Sequence, residues 1–256
     1  MATDSMPSVS VEGKTAVVIG GTRGIGRAIA LGFAEDGADV VATSRSADAV
    51  KRVAEELRER GATTAEVTCD VTDPDSIETL RDTTVEEVGD VDILVNSAGT
   101  VAQSPITEMT DEEWQRDIDV DLTGVFTACR VFAREMDAGS IINISSMSAD
   151  QAREARAAYC AAKSGVNGLT RAAAADLAPD IRVNAIAPGF VKTEMAGQKL
   201  DDGSDFRATV DERTPMSRVA TPDEMVGTAL YLASDAASFT TGEIITIDGG
   251  YDRSSV

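Results

Sequence analysis

Tyr159 and Lys163 stand four residues apart in Tyr-Cys-Ala-Ala-Lys, within an alanine-rich stretch that reads as a helix running to Leu177. On a helix, a spacing of four stacks both side chains on one face. A free tyrosine hydroxyl has a pKa of about 10, so it can exchange protons near neutral pH only where a neighbouring cation favours the phenolate. Lys163 could be that cation. The pattern is also compatible with a lysine that merely snorkels beside a half-buried tyrosine. A second group of residues is suited to holding a phosphorylated ligand. Gly20-Gly21-Thr22-Arg23-Gly24-Ile25-Gly26 directly follows the β-branched run Thr15–Ile19 and directly precedes a helical pattern. A strand, a glycine turn and a helix in that order aim backbone N–H groups and a helix N-terminus at a pyrophosphate, while the missing side chains let it approach. Where an NAD-binding chain carries an acidic residue at the end of its second strand, this one carries Ser44-Arg45. A hydroxyl and a guanidinium fork suit a 2′-phosphate dianion, which predicts NADP(H) as the cofactor.

These residues need a scaffold, and the rest of the chain spells one out. The runs at 15–19, 40–43, 93–95, 141–144, 181–186 and 244–247 are short and apolar, as buried parallel strands are. Helical patterns lie between them. The segment 27–34 stops at Gly37 and 49–60 at Gly61, both glycine helix stops, and Pro74 sits near the start of a further helix. This alternation predicts the α/β class: a single-domain, Rossmann-type doubly wound parallel sheet with helices on both faces. Residues 1–12 read as a flexible lead-in and 13–256 as the dinucleotide-binding catalytic domain. A segment rich in Asp, Gly and Ser at about 195–220 breaks the alternation and is the candidate substrate flap.

Composition limits the partners. With 44 acidic against 23 basic residues the net charge is −21, and only five of the basic residues are lysine. Nucleic acid is therefore not an expected partner. No apolar run approaches the roughly 20 residues of a membrane helix. The first residues lack a secretory pattern, which points to the cytoplasm. The cysteines Cys69, Cys129 and Cys160 are far apart and the chain has no histidine, so no metal site is expected. The acid is spread through helix faces and turns, a solvated coat suited to a salt-rich cytoplasm and similar to that of halophile proteins.

The spacing of Gly20, Gly24 and Gly26 resembles the short-chain dehydrogenase/reductase family, and the resemblance runs from Lys14 to Ile247-Asp248-Gly249-Gly250. It implies that Ser146, thirteen residues before Tyr159, hydrogen-bonds the substrate oxygen. Tyr159 would move the proton, and Lys163 would both favour the phenolate and hold the nicotinamide ribose. Arg23 would join Ser44 and Arg45 at the 2′-phosphate. Asp70-Val71, after a third strand, would contact adenine, and Asn96-Ser97-Ala98-Gly99 resembles the family's Asn-Asn-Ala-Gly turn. Pro188-Gly189, Val191 and Thr193 would line the nicotinamide. Asp121 departs from the pattern, because the family usually has an asparagine there. Family members commonly form homotetramers.

The motifs leave the substrate open among a 3-oxoacyl thioester, a sugar or sugar-derived keto acid, and a small ketone. The 3-oxoacyl reading is slightly preferred. A non-catalytic NADP-binding regulatory protein is the alternative from another class, although the intact Ser146, Tyr159 and Lys163 speak against it. Arg153 and Arg156, just before the catalytic tyrosine, would either read a substrate carboxylate or phosphate or serve a subunit contact and the helix start.

Overall fold

A computed structural model describes residues 7–252. Six strands form one sheet in the order β2-β1-β3-β4-β5-β6, with every neighbouring pair parallel. They are β1 (Thr15–Ile19), β2 (Asp39–Thr43), β3 (Ile93–Asn96), β4 (Gly139–Ile144), β5 (Ile181–Pro188) and β6 (Ile244–Ile247). Parallel strands need crossovers, and the helices α1 (Gly24–Glu35), α2 (Ala47–Glu59), α3 (Pro74–Glu87), α4 (Asp111–Ile118), α5 (Gly124–Ala133), α6 (Ala157–Leu177), α7 (Asp205–Arg213) and α8 (Val226–Ala233) lie between them in sequence.

Side chains alternate across a strand, so successive residues feed opposite cores. In β1, Ala16 and Val18 join the core that holds Ile29, Phe33, Val53, Leu57 and Leu232 of α1, α2 and α8. Val17 and Ile19 join the other, with Ile77, Leu80, Val125, Phe132 and Val166 of α3, α5 and α6. The sheet is covered on both faces, as its near-continuous apolar strands require. Among the described residues, no helix is long and apolar enough to cross a membrane.

The structure corrects one sequence expectation. No third strand precedes Asp70, and the sheet passes from β2 to a strand that begins at Ile93. The intervening chain runs beside β2 but shares only two backbone hydrogen bonds with that edge, from Val40 to the Thr63 carbonyl and from Cys69 to the Ser44 carbonyl. That contact positions Asp70 without forming a regular ladder. At the other end of the described chain, Val11 is fully buried and its N–H donates to Asp36.

Residues 189–221 leave the sheet after β5. Their base is closed by a bridge between Val191 and Ala220, with Lys192 N–H on the Ala220 carbonyl and Ala220 N–H on that of Phe190. Within the excursion, a 3-10 turn (Glu194–Leu200) and α7 enclose a small core of Leu200, Val210 and Val219, separate from the two cores of the sheet.

Candidate active site

The sheet order reverses at β1, which has β2 on one side and β3 on the other. In such sheets a crevice opens outside the carboxyl ends of the strands at that point. A cleft of about 350 Å³ lies there, lined by residues that follow β1 to β5 and by the excursion after β5.

The glycine turn forms its floor. Gly20 has φ +79°, and a Cβ there would run into the backbone of Ala98. At Gly26, a Cβ would meet the Gly20 carbonyl oxygen. Gly20 therefore lets the turn pass close to the chain after β3, while Gly26 lets α1 start hard against the turn. Thr22, Arg23, Gly24 and Ile25 face the cleft, but Gly26 does not. Ser44 and Arg45 line it from the end of β2. Arg45 is exposed and makes no ion pair among the described residues, whereas Arg23 lies 3.8 Å from Glu194. Asp70 and Val71 line the neighbouring wall. The Asp70 carboxyl is held below its ordinary pKa chiefly by the Thr72 N–H, with the Thr72 hydroxyl and the Arg45 charge adding to it against desolvation.

After β3, Ala98 and Gly99 line the cleft and Asn96 does not. Asn96 is buried, with its amide donating to Asn143 (2.9 Å) and the Asn143 amide donating in turn to Thr170 (3.0 Å). Both Asn96 and Gly26 therefore support the site from within the fold. Pro188, Gly189, Val191 and Thr193 line the cleft from the end of β5 onward, and the Thr193 hydroxyl accepts from the Ala196 N–H at the start of the 3-10 turn.

Ser146, Tyr159 and Lys163 face the same space. Ser146 follows β4, and its Oγ accepts the Ser148 N–H at 3.0 Å, which leaves its own O–H free to donate into the cleft. Its neighbour Ser145 is turned away from that task, since its hydroxyl donates to Asn167 at 2.6 Å. Tyr159 and Lys163 lie one turn apart on α6, with Nζ 5.6 Å from the ring centroid. Lys163 is 4% exposed; it donates to the Ile144 carbonyl at 3.0 Å and pairs with Asp121 at 2.9 Å. Burial works against its charge. The carboxylate of Asp121, and then Tyr159, outweigh that and hold the Lys163 pKa above its ordinary value.

Asp121 sits on a π-helical turn (Asp119–Thr123) between α4 and α5. One-turn π segments of this kind often occur at functional sites. The Asp121 side chain also accepts the Thr100 N–H at 2.9 Å. Asp117, one turn earlier and fully buried, accepts the Ala102 N–H at 2.8 Å. Desolvation, with the Asp121 charge adding to it, pushes the Asp117 pKa up against the Ala102 hydrogen bond and Arg116.

The sequence singled out neither Arg116 of α4 nor Phe190, and it marked Met195, Lys199 and Phe206 only as part of the candidate flap at about 195–220; all five line the cleft. For the helix carrying Arg116 a signal was available, since Thr110 and Glu113 form a capping box at its start.

A family model described as enoyl-(acyl carrier protein) reductase matches residues 19–252. Cis-4-hydroxycyclohexanecarboxylate dehydrogenase of Sinomonas cyclohexanicum is 42% identical over 244 residues, which cover 93% of this chain and 96% of that one. Galactitol 2-dehydrogenase (L-tagatose-forming) of Cereibacter sphaeroides is 40% identical over 247 residues, covering 94% and 96%. Among solved structures, a gluconate 5-dehydrogenase from Burkholderia cenocepacia J2315, in complex with NADP and tartrate, superposes with a TM-score of 0.92 at 34% identity, covering 98% of this chain and 99% of that one. Likeness of this extent, in sequence and in fold, makes the chain a member of the short-chain dehydrogenase/reductase family of oxidoreductases.

Proposed function

We propose that this protein is an NADP(H)-dependent oxidoreductase that interconverts an alcohol and a carbonyl, and that its substrate is a sugar or a sugar-derived keto acid. The observation that carries the reading is that one cleft, at the reversal of the sheet, holds the glycine turn together with Ser146, Tyr159 and Lys163. NADP(H) fits the residues present. The turn has no Cβ at Gly20 and Gly24 to block a pyrophosphate, and Ser44, Arg45 and Arg23 offer a hydroxyl and two guanidinium groups where the 2′-phosphate would lie. Asp70 and Val71 would flank adenine, and Ala98, Gly99, Pro188, Gly189, Val191 and Thr193 would line the rest. When bound, the nicotinamide supplies or accepts the hydride.

The chain's own residues handle the oxygen and its proton. In the reductive direction, the free O–H of Ser146 donates to the substrate carbonyl oxygen and holds it beside Tyr159. Tyr159 would deliver a proton to that oxygen. Lys163, kept charged by Asp121, stabilises the phenolate left behind. Oxidation of the alcohol runs the same transfers backwards.

The two comparison enzymes that act on galactitol and gluconate support the sugar reading over the 3-oxoacyl thioester. The direct test follows NADPH consumption over a panel that includes 5-keto-D-gluconate, a ketose and acetoacetyl thioesters. Higher kcat/KM for a sugar substrate is expected. A preference for the thioester would reverse the substrate assignment, and NADPH binding without turnover on any carbonyl would favour the regulatory alternative. A homotetramer belongs to the same proposal, supported by the exposed large apolar side chains Trp114, Phe126 and Phe239. Light scattering measures that mass directly.

A further inference from the structure

Acidic residues outnumber basic ones 44 to 23 in the chain, yet the cleft reverses the balance. Among the described residues, Asp70, Asp121 and Glu194 are the acidic ones that line it. Seven basic residues line it: Arg23 of the glycine turn, Arg45 after β2, Lys163 of α6 and, outside the cofactor motifs, Arg116, Arg153, Arg156 and Lys199. Within this last group the cations differ in what already occupies them. Arg116 lies 3.6 Å from Asp117, and Lys199 donates to Gln103 at 2.9 Å. Arg153 and Arg156 make no ion pair among the described residues.

Arg153 packs against two aromatic rings. Its guanidinium lies over the Phe190 ring at 4.5 Å and the Tyr251 ring at 5.8 Å, and its Nε is buried with no hydrogen-bond partner among the described residues. Desolvation pulls its pKa below the ordinary arginine value, so a bound anion would offset a charge now held at a cost. Arg156 is the N-cap of α6, three residues before Tyr159 in sequence, and both side chains line the cleft. Between the two arginines, Ala155 has φ +56°, a region that a residue with a Cβ rarely occupies, and its carbonyl accepts the Ser104 N–H at 3.0 Å. A backbone held in this way at a site is a reason to look for a function.

We infer that Arg153 and Arg156 form an anion subsite, in the same cleft as Tyr159, that binds a carboxylate or phosphoryl group carried by the substrate. This inference rests on the proposed reading of the cleft as a substrate site. It extends that reading by requiring an anionic group within a few bonds of the reacting carbon. Arg153 provides the stacked fork and Arg156 the open one.

The test is calorimetric titration of the NADP⁺-saturated protein at fixed ionic strength. The probes are tartrate, threitol, which replaces both carboxylates with hydroxymethyl groups, and inorganic phosphate. Tartrate should bind at least about tenfold more tightly than threitol, because a charge-assisted guanidinium contact contributes at least that factor. Arg156→Gln should lose most of this advantage and leave threitol unchanged, and Arg156→Lys, which keeps charge without the fork, should lie between. If phosphate binds more tightly than tartrate and loses that binding in Arg156→Gln, the subsite stands and takes a phosphoryl group. Equal affinity for tartrate and threitol, or unchanged tartrate binding in both Arg156→Gln and Arg153→Gln, overturns the proposal. Tyr159→Phe should bind tartrate as the wild type does, so a failure of the catalytic assignment would appear in turnover and not in these titrations.

Discussion

The carboxylate of Asp121 and the ammonium of Lys163 stand 2.9 Å apart, both shut away from solvent, one on a π-helical turn and the other on α6. A buried ion pair holds only when its remaining hydrogen-bonding capacity is met. Here the Ile144 carbonyl accepts a hydrogen bond from the lysine and the Thr100 N–H donates to the carboxylate oxygen of Asp121 that does not face Lys163. The amide usual in the family at this position would leave Lys163 without a neutralising partner. In this chain, Asp121 offsets the charge of Lys163, one helical turn from Tyr159.

Asp121→Asn therefore changes the pH dependence. Asp121 helps hold the Lys163 pKa above its ordinary value, so the ammonium persists until the pH rises past the usual lysine range. Without the carboxylate the proton leaves at lower pH, and the alkaline limb of kcat/KM should move toward lower pH. Stability drawn from the pair is fully present below the unfolded-state lysine value and is lost only above it. The variant's thermal midpoint should accordingly fall by a few degrees at neutral pH. A pH–rate profile and a melting curve check both, and an unmoved alkaline limb would mean that Asp121 does not govern the lysine's charge.

For the cofactor, Arg45→Ala should weaken NADPH by roughly 1.5–3 kcal/mol and NADH far less, because only NADPH loses a charge-assisted contact. Ser44→Asp should go further and shift the preference to NADH by repelling the 2′-phosphate. Fluorescence titration with each dinucleotide measures this, and equal losses for both would remove the 2′-phosphate assignment.

The −21 net charge predicts a dependence on salt. Molar KCl shortens the Debye length to about 3 Å and removes most of the self-repulsion among surface carboxylates. The thermal midpoint should rise between low and molar KCl, with activity retained. A flat or falling midpoint would contradict the halophile-like reading of the acidic coat.

The strands were legible because a parallel sheet covered on both faces leaves short apolar runs. β1 falls at 15–19 as read, and β2 and β3 differ from their readings by one residue. The expected third strand failed because 62–69 lies at an edge with too few backbone bonds to form a ladder. α4 was not singled out because Asp-Glu-Glu-Trp-Gln-Arg-Asp-Ile is mostly charged, and its buried carboxylate, Asp117, looks solvated in sequence. Motif spacing located the strand ends that meet at the cleft. It could not tell which side chains turn inward: Ser97 faces the cleft, while Asn96, its neighbour, faces the core. Arg116 reaches the cleft from a helix the sequence did not single out, and Lys199 from the flap read at about 195–220, whose composition could not say which side chains turn inward.

The central claim is that Tyr159 moves the substrate's proton, and Tyr159→Phe tests it most directly because the change removes one hydroxyl and almost no volume. The measurement is kcat on the best carbonyl substrate, with NADPH binding followed in parallel. The account predicts binding close to wild type and turnover reduced by about 10²–10⁴-fold, the range for loss of a general acid–base group. A Phe variant that binds NADPH and keeps more than about a tenth of the wild-type rate, well above that range, would contradict it.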